Sequence, residues 1–281
     1  MKNIAENVSE DDLFPSRSLP LTGPDHWSKR HLRATGDPIT PLPGRRHLDF
    51  ELARFFRRHL ASRRGGTLLE IGCGSSVWLP YFDRKFGLTV TGLDYSEQGL
   101  AVCQRILART ETSAELVRGD IFDPEFRFDR FFDIVFSLGF IEHFSNPTTT
   151  IARMGRYLRP GGLFLTWVPN AAGAAERISR RLDSGVAQRQ RKAGREEWIE
   201  AHRKAGLTVL EAYHGQGLDF SHINVSVFPP TAQKILGLAF RTMSLPFLAL
   251  EKGLGVRIGI GPLCSGLFLA AQSRPARKTP R

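Results

Sequence analysis

The residues best placed to do chemistry are three acids, Glu70, Asp94 and Asp120, and a turn poor in side chains that follows the first of them. In Leu68-Leu69-Glu70-Ile71-Gly72-Cys73-Gly74-Ser75-Ser76 an apolar run ends in an acid, then meets two glycines one residue apart and a new helical pattern. Without a Cβ on either glycine, a backbone of this kind can lie directly against a ligand. Asp94 closes a second apolar run, where its carboxylate can accept both hydroxyls of a ribose. Asp120, in Arg118-Gly119-Asp120-Ile121, can accept from the exocyclic amine of an adenine, with Ile121 against the ring. Together they describe an adenosine whose sugar and base are both read, with no diphosphate to be cradled.

Those positions need strands that end side by side. The pattern predicts a helix from Leu48, with Leu52, Phe55, Phe56 and Leu60 on one stripe and Arg54, Arg57 and Arg58 largely off it, stopping at Gly65-Gly66. Strands and helices then alternate. Strands are expected at 67–71, 89–93, 114–118, 131–136 and 163–168, and helices at 77–86, 97–109 (opened by Ser96) and 147–158 (stopped by Pro160-Gly161-Gly162). A helix at 196–205 and strands at 207–213 and 263–271 follow. This cadence predicts an α/β, doubly wound, seven-stranded and mostly parallel sheet. Such sheets bind ligands beyond the carboxyl ends of their strands, where all three acids fall. A glycine turn followed by an acid about 20 residues on also suits a dinucleotide. Against that reading stand the Gly-x-Gly-Ser-Ser turn, the acid closing the strand, and Asp120, which a dinucleotide would not need.

At this point the chain resembles the class I S-adenosylmethionine-dependent methyltransferases, convincingly over residues 67–168 and more loosely at 207–213 and 263–271. Phe132-Asp133-Ile134-Val135-Phe136-Ser137 is similar to that family's fourth strand, and Gly139-Phe140-Ile141-Glu142-His143-Phe144 to the Glu-His pattern of its small-molecule members. Leu158-Arg159-Pro160-Gly161-Gly162 matches the turn before its fifth strand; Ser76 replaces a third glycine of its first motif. The resemblance implies S-adenosyl-L-methionine as cofactor, the acid–glycine turn beside its methionine part, Asp94 on its ribose and Asp120 on its adenine. The implied cofactor-binding set is Glu70, Gly72, Cys73, Gly74, Asp94, Tyr95, Asp120, Ile121 and Ser137. Cys73 is read as a small turn residue and Asp133 as structural.

Methyl transfer from a sulfonium is an in-line displacement, so a base is needed only for a hydroxyl or an acidic carbon. His143 is the candidate base, with a packing role beside the cofactor as the alternative. His202, His214 and His222 are read as surface or substrate-lining residues, and Asp219 is left without a role. No metal-ligand cluster stands out, and metal-independent transfer is expected.

The bulk numbers set limits. At 281 residues, 41% hydrophobic and 24% charged, one large domain with insertions is expected. Residues 1–45 are read as a lead-in or lid containing Trp27 and His31, residues 46–272 as the main domain, and 273–281 as a basic tail without order. Insertions at 171–195 and 215–261 are expected to form a helical cap that sets specificity. Three scattered cysteines and an acidic, polar beginning point to a reducing cytoplasm. No apolar run reaches the roughly 18–20 residues of a spanning helix. The net charge of +11 comes largely as arginine clusters, among them Arg57-Arg58, Arg180-Arg181 and Arg189 to Arg195. It suits solvated helix faces or an anionic partner, and without interleaved aromatic residues it does not favour nucleic acid. The apolar stretch from Leu236 to Leu250 is read as a packed cap, or as a surface that touches a membrane or a lipid-linked substrate. The reading is therefore an enzyme that methylates a small molecule or a saccharide. An RNA methyltransferase and a non-catalytic cofactor-binding partner are the alternatives, and the oligomeric state is left open.

Overall fold

A computed structural model describes residues 20–22, 47–183, 185, 190–255 and 260–275. The elements, in chain order, are α1 (His47–Leu60), β1 (Thr67–Ile71), α2 (Trp78–Phe86), β2 (Thr89–Asp94), α3 (Glu97–Arg109), β3 (Ala114–Arg118) and β4 (Phe132–Leu138). They continue with α4 (Pro147–Gly155), β5 (Leu158–Pro169), α5 (Ala174–Leu182), α6 (Arg195–Lys204), β6 (Thr208–Gly217), α7 (Pro230–Leu254) and β7 (Cys264–Gln272). Short 3-10 turns stand at Ile141–His143, Phe220–His222 and Gly261–Leu263.

The seven strands form one sheet in the order β3-β2-β1-β4-β5-β7-β6, as the alternating cadence predicts. All neighbours are parallel except β7, which runs antiparallel to both β5 and β6. The chain reverses its direction of travel across the sheet between β1 and β4, and the glycine turn leaves the sheet at this switch point.

Period-two alternation divides the strands between two cores. Leu68, Ile134, Phe136, Leu163 and Leu165 face α1, α2 and α3, whereas Leu69, Val135, Phe164 and Leu269 face α4 and α6. Phe56, on the stripe of α1, packs edge-on against Phe82 at 4.7 Å, Phe136 at 5.1 Å and Trp78 at 5.2 Å between ring centres. Burial of each such side chain stabilises by ~2–3 kcal/mol. Helix starts follow the sequence as well. The Ser96 hydroxyl accepts from Gly99 N–H at 3.1 Å, and the Asn146 amide oxygen from Thr149 N–H at 3.1 Å with Pro147 at the first helical position.

Three boundaries differ from the expectation. The helix expected to reach Leu158 stops at Gly155, because Leu158 already pairs with Phe132 in the ladder. Pro160-Gly161-Gly162 is not a free turn but the bulged start of β5, held by Ser273, whose N–H donates to Gly162 O at 2.9 Å. Strand β6 runs to Gly217 rather than ending at Tyr213, since Gly215 pairs with Gly266 and Gly217 with Cys264. Within the stretch expected to be inserted after Pro169, α5 packs against β7, and α7 packs against α1 and the turn at Phe220–His222. Most of the lead-in, Trp27 and His31 included, lies outside the described residues, as do parts of both insertions and most of the tail.

Candidate active site

The turn after β1 is built from the backbone outward. Gly72 has φ +74° and Gly74 φ +34°, conformations in which a side chain is strained. Gly72 N–H and Cys73 N–H both donate to Leu93 O, at 2.8 and 3.1 Å, which ties the turn to the end of β2. Gly74 N–H donates to Asp94 Oδ2 at 2.7 Å and Ser96 N–H to Asp94 Oδ1 at 2.8 Å. The Asp94 carboxylate thus bridges the glycine turn and the start of α3. One backbone bond, Gly119 N–H to Asp94 O at 3.1 Å, carries the connection on to the β3 turn. There Asp120 Oδ1 accepts from Phe122 N–H at 2.9 Å.

The electrostatics agree with these groups lying near one another. The Tyr95 phenol is pushed up to about 12 by burial, then by the charges of Asp94 and Asp120, so one phenol feels both acids. Glu70 is 2% exposed and raised to about 8 by burial, against the pull of the Ser76 hydroxyl, which donates to its Oε2 at 2.8 Å. Ser76, standing where a third glycine was expected, is therefore the partner of the buried acid, and it also accepts from Trp78 N–H at 3.0 Å. The three acids stand at the ends of three adjacent strands, with a phenol and a bare turn beside them at the carboxyl edge. These acceptors suit a ligand carrying hydroxyls, an amine and positive charge.

Not every expected residue turns its side chain toward those acids. Cys73 is 2% exposed and packs in the core beside Cys103, whose hydrogen bond, with burial, pushes the Cys73 thiol well up; only its backbone lines the turn. Ser137 is fully buried and bonded to Thr166 Oγ1 at 2.9 Å, between β4 and β5. Ile121 is 4% exposed and sits at the edge of the second core. Asp133 lies at the opposite end of β4, where Thr67 N–H and Arg159 donate to it at 2.8 Å; it fastens β1 to β5.

The turn after β4 forms the other wall. A Cβ on Gly72 would lie 2.5 Å from Cδ2 of Phe140, so this ring rests on the bare glycine. Phe140 contacts Phe144 at 5.0 Å, and Phe144 contacts Phe122 at 4.7 Å, an aromatic chain from the glycine turn to the Asp120 turn. His143 is 9% exposed, with Nδ1 3.0 Å from Thr22 Oγ1 and Nε2 3.7 Å from Glu142 Oε1. Residues 20–22 of the expected lead-in cross it: Pro20 bridges Phe144, and Leu21 N–H donates to His143 O at 2.7 Å. Beyond Glu142, a cleft past the ends of β4 and β5 is lined by Pro169, Glu176, Arg180, Arg191 and Lys192.

The contacts of Thr22 and Phe140 were not foreseen; no periodicity connects residue 22 with residue 143. His202 is a correction to the surface or substrate-lining reading. It is fully buried, edge-on to Phe164 at 5.5 Å, with Nδ1 2.7 Å from Trp198 O, and burial lowers it to about 4. His214 is half-buried in β6, and burial followed by Arg195 lowers its imidazole. Asp219 is 1% exposed and caps the turn at Phe220–His222 by accepting from Ser221 N–H at 2.9 Å, a structural bond. The side chain of His222 lies outside the described residues. Among the described residues no three His, Cys, Asp or Glu side chains gather as a metal ion would require.

Residues 69–185 match a family model described as a methyltransferase domain. A ubiquinone biosynthesis O-methyltransferase of Hydrogenovibrio crunogenus is 28% identical over 174 residues, covering 59% of this chain and 70% of the relative. A fatty-acid O-methyltransferase of Mycolicibacterium smegmatis is 34% identical over 106 residues, covering 37% of this chain and 38% of the relative. Among solved structures, phosphoethanolamine N-methyltransferase 2 of Haemonchus contortus, in complex with S-adenosyl-L-methionine, has a TM-score of 0.55 at 21% identity, covering 80% of this chain and 52% of that one. The [4+2]-cyclase SpnF has a TM-score of 0.56 at 16% identity, covering 81% and 82%. At such identities a structural likeness carries the fold alone; the cyclase's name marks how far reactions diverge on it.

Proposed function

The chain belongs to the class I S-adenosylmethionine-dependent methyltransferases, and on that premise we propose that it transfers a methyl group to an oxygen of a small, lipophilic acceptor. The observation that carries this reading is the meeting of Glu70 and Asp94 at one bare turn, with the Asp120 turn joined to it through Gly119 N–H and Asp94 O. Asp94, oriented by two backbone N–H groups, stands where it would accept from ribose hydroxyls, and Asp120 where it would accept from the adenine amine. Glu70 faces the cationic end. When bound, S-adenosylmethionine supplies a methyl group already activated as a sulfonium substituent. The protein's task is then to orient the acceptor, exclude water and take up one proton.

His143 suits the last of these. Thr22 Oγ1 lies 3.0 Å from Nδ1 and orients the ring for taking up the acceptor's proton, and Glu142, 3.7 Å from Nε2, stabilises the imidazolium that forms. Residues 20–22 help to close the wall behind His143. The lipophilic class is supported by the names of the relatives, one a ubiquinone biosynthesis enzyme and one a fatty-acid enzyme, both O-methyltransferases. A saccharide acceptor is the less supported form of the same reading.

The test has two parts. Calorimetry should show S-adenosylmethionine binding that falls by about 100-fold in Asp94→Ala, the scale of two lost hydrogen bonds to a charged group. Radiolabelled methyl should then pass to polyprenyl-phenols or fatty acids and follow them into organic solvent. Label found only in RNA or protein would end the small-molecule reading, and absent cofactor binding would end the whole.

A further inference from the structure

Helix α7 is the part of the fold that its own core does not account for. Of its 25 residues only Ser244, Leu248 and Glu251 are buried, while Ile235, Leu238, Met243, Leu245, Leu250 and Leu254 stand between 48% and 64% exposed. At about 100° per residue these six spread over the half of the helix opposite the Ser244–Leu248–Glu251 line. Patches of this kind on a folded surface mark contact with something else.

The charges indicate what that is. The helix holds three cations, Lys234, Arg241 and Lys252, all exposed, and one acid, Glu251, which is buried against His47 Nε2 at 2.5 Å. The cations recur at steps of seven and eleven residues, which return to one side of a helix, so they form a line along one edge of the apolar face. Long basic side chains at such an edge extend to phosphates while their stems cover apolar surface. No helix among the described residues is long and apolar enough to cross a membrane. An apolar half, a basic edge and no exposed acid instead suit a helix lying flat in a headgroup layer. A second copy of the chain would bring another charge of +11 to the same edge.

We propose that α7 docks the protein on an anionic lipid surface, with Ile235, Leu238, Met243, Leu245, Leu250 and Leu254 in the acyl–headgroup boundary and Lys234 and Arg241 at the phosphates. Docking goes beyond methyl transfer and holds whatever the acceptor is.

Full-length protein should cosediment with phosphatidylglycerol-containing vesicles at about 0.05 M salt and much less at about 0.5 M, where surface charges are screened. Leu238→Glu/Leu245→Glu and, separately, Lys234→Ser/Arg241→Ser should each weaken binding by tenfold or more, on the order expected for these groups. All four side chains are exposed, so thermal midpoint and cofactor affinity should match wild type and certify the fold. Wild type that fails to cosediment overturns the proposal, as does a leucine variant that binds unchanged. Equal binding to pure phosphatidylcholine vesicles overturns the anionic part. Concentration-dependent dimers that the leucine variant abolishes, without lipid binding, would assign the face to a second copy and overturn it too.

Discussion

Glu70 is a residue whose physical state differs greatly from its free form. An acid raised from 4.5 to about 8 by burial keeps its proton in the folded chain after the unfolded chain has lost it. Between those values the folded state binds more protons, so stability falls as pH rises, by up to about 1.4 kcal/mol per unit from this group. Below 4.5 and above 8 the contribution is flat. Glu70→Gln should therefore flatten thermal stability across this window, and an unchanged slope would show that Glu70 is charged in the fold. A cation placed beside Glu70 reverses the balance, because an adjacent positive charge favours the carboxylate. S-adenosylmethionine binding at pH 7 should thus release up to about one proton, visible as a dependence of calorimetric heat on buffer ionisation enthalpy. Glu70→Gln should remove that dependence. If wild type shows none, the methionine end lies elsewhere. His143 makes a separate prediction: His143→Ala should lower kcat by about 100-fold or more with cofactor affinity unchanged, in the range of general base catalysis. Thr22→Val should lower kcat less and leave KM for the cofactor alone, the mark of a group that positions the imidazole.

At the scale of elements, the strand ends were legible and their mutual contacts were not. β1, β2 and β4 declare themselves because they are buried on both faces and read as short apolar runs closed by an acid, a glycine or a serine. The cap of α3 was legible because the Ser96 side chain acts on a backbone N–H three residues on. Contacts between loops carry no such period. Phe140 on Gly72, Thr22 on His143 and Ser76 on Glu70 are joined only by the sheet that brings the loops together. His202 was misread for a related reason: its neighbours Glu200, Arg203 and Lys204 are polar, yet its own position on α6 faces Phe164. The Phe140–Gly72 contact can be tested directly. Gly72→Ala carries two penalties, a left-handed φ and a Cβ 2.5 Å from the ring, and should lose cofactor affinity and a few degrees of thermal midpoint. In Gly72→Ala/Phe140→Ala the clash is gone and the strain remains, so only part of the loss should return. Full recovery would mean that φ costs nothing here; no recovery would mean that the ring is not the obstacle.

Seen whole, the molecule is a sheet whose strands β1 to β5 carry the candidate site at their carboxyl ends, and α7 is joined to it through α1 and the turn at Phe220–His222, with one buried polar knot at the contact. His47 opens α1 and meets Glu251 of α7 at 2.5 Å; both are at most 2% exposed, and Glu51 lies fully buried one turn along. Lys252 and Arg54 each stand 5.5 Å over the ring of Phe50 beside it. Ser244, which accepts from Phe220 N–H at 2.9 Å, Leu248 and the half-buried Phe240 and Phe247 add to the attachment, and Arg54 donates to Gly255 O at 3.3 Å. A helix with so few buried apolar side chains belongs to the low end of local stability, while the glycine turn and its acids sit on the most buried strands. Removing one partner of a buried hydrogen bond costs about 1–3 kcal/mol, because the other is left unsatisfied. In Glu251→Ala that cost should fall on α7 and not on the sheet. Hydrogen exchange should quicken across residues 230–254 and the first turn of α1, and proteases should cut between 218 and 262. Protection in β1, β2 and β4, and affinity for S-adenosylmethionine, should stay as in wild type. Uniformly faster exchange through the sheet would instead make α7 a cooperative part of the core, and its exposed leucines would then need a structural reason that packing on α1 does not supply.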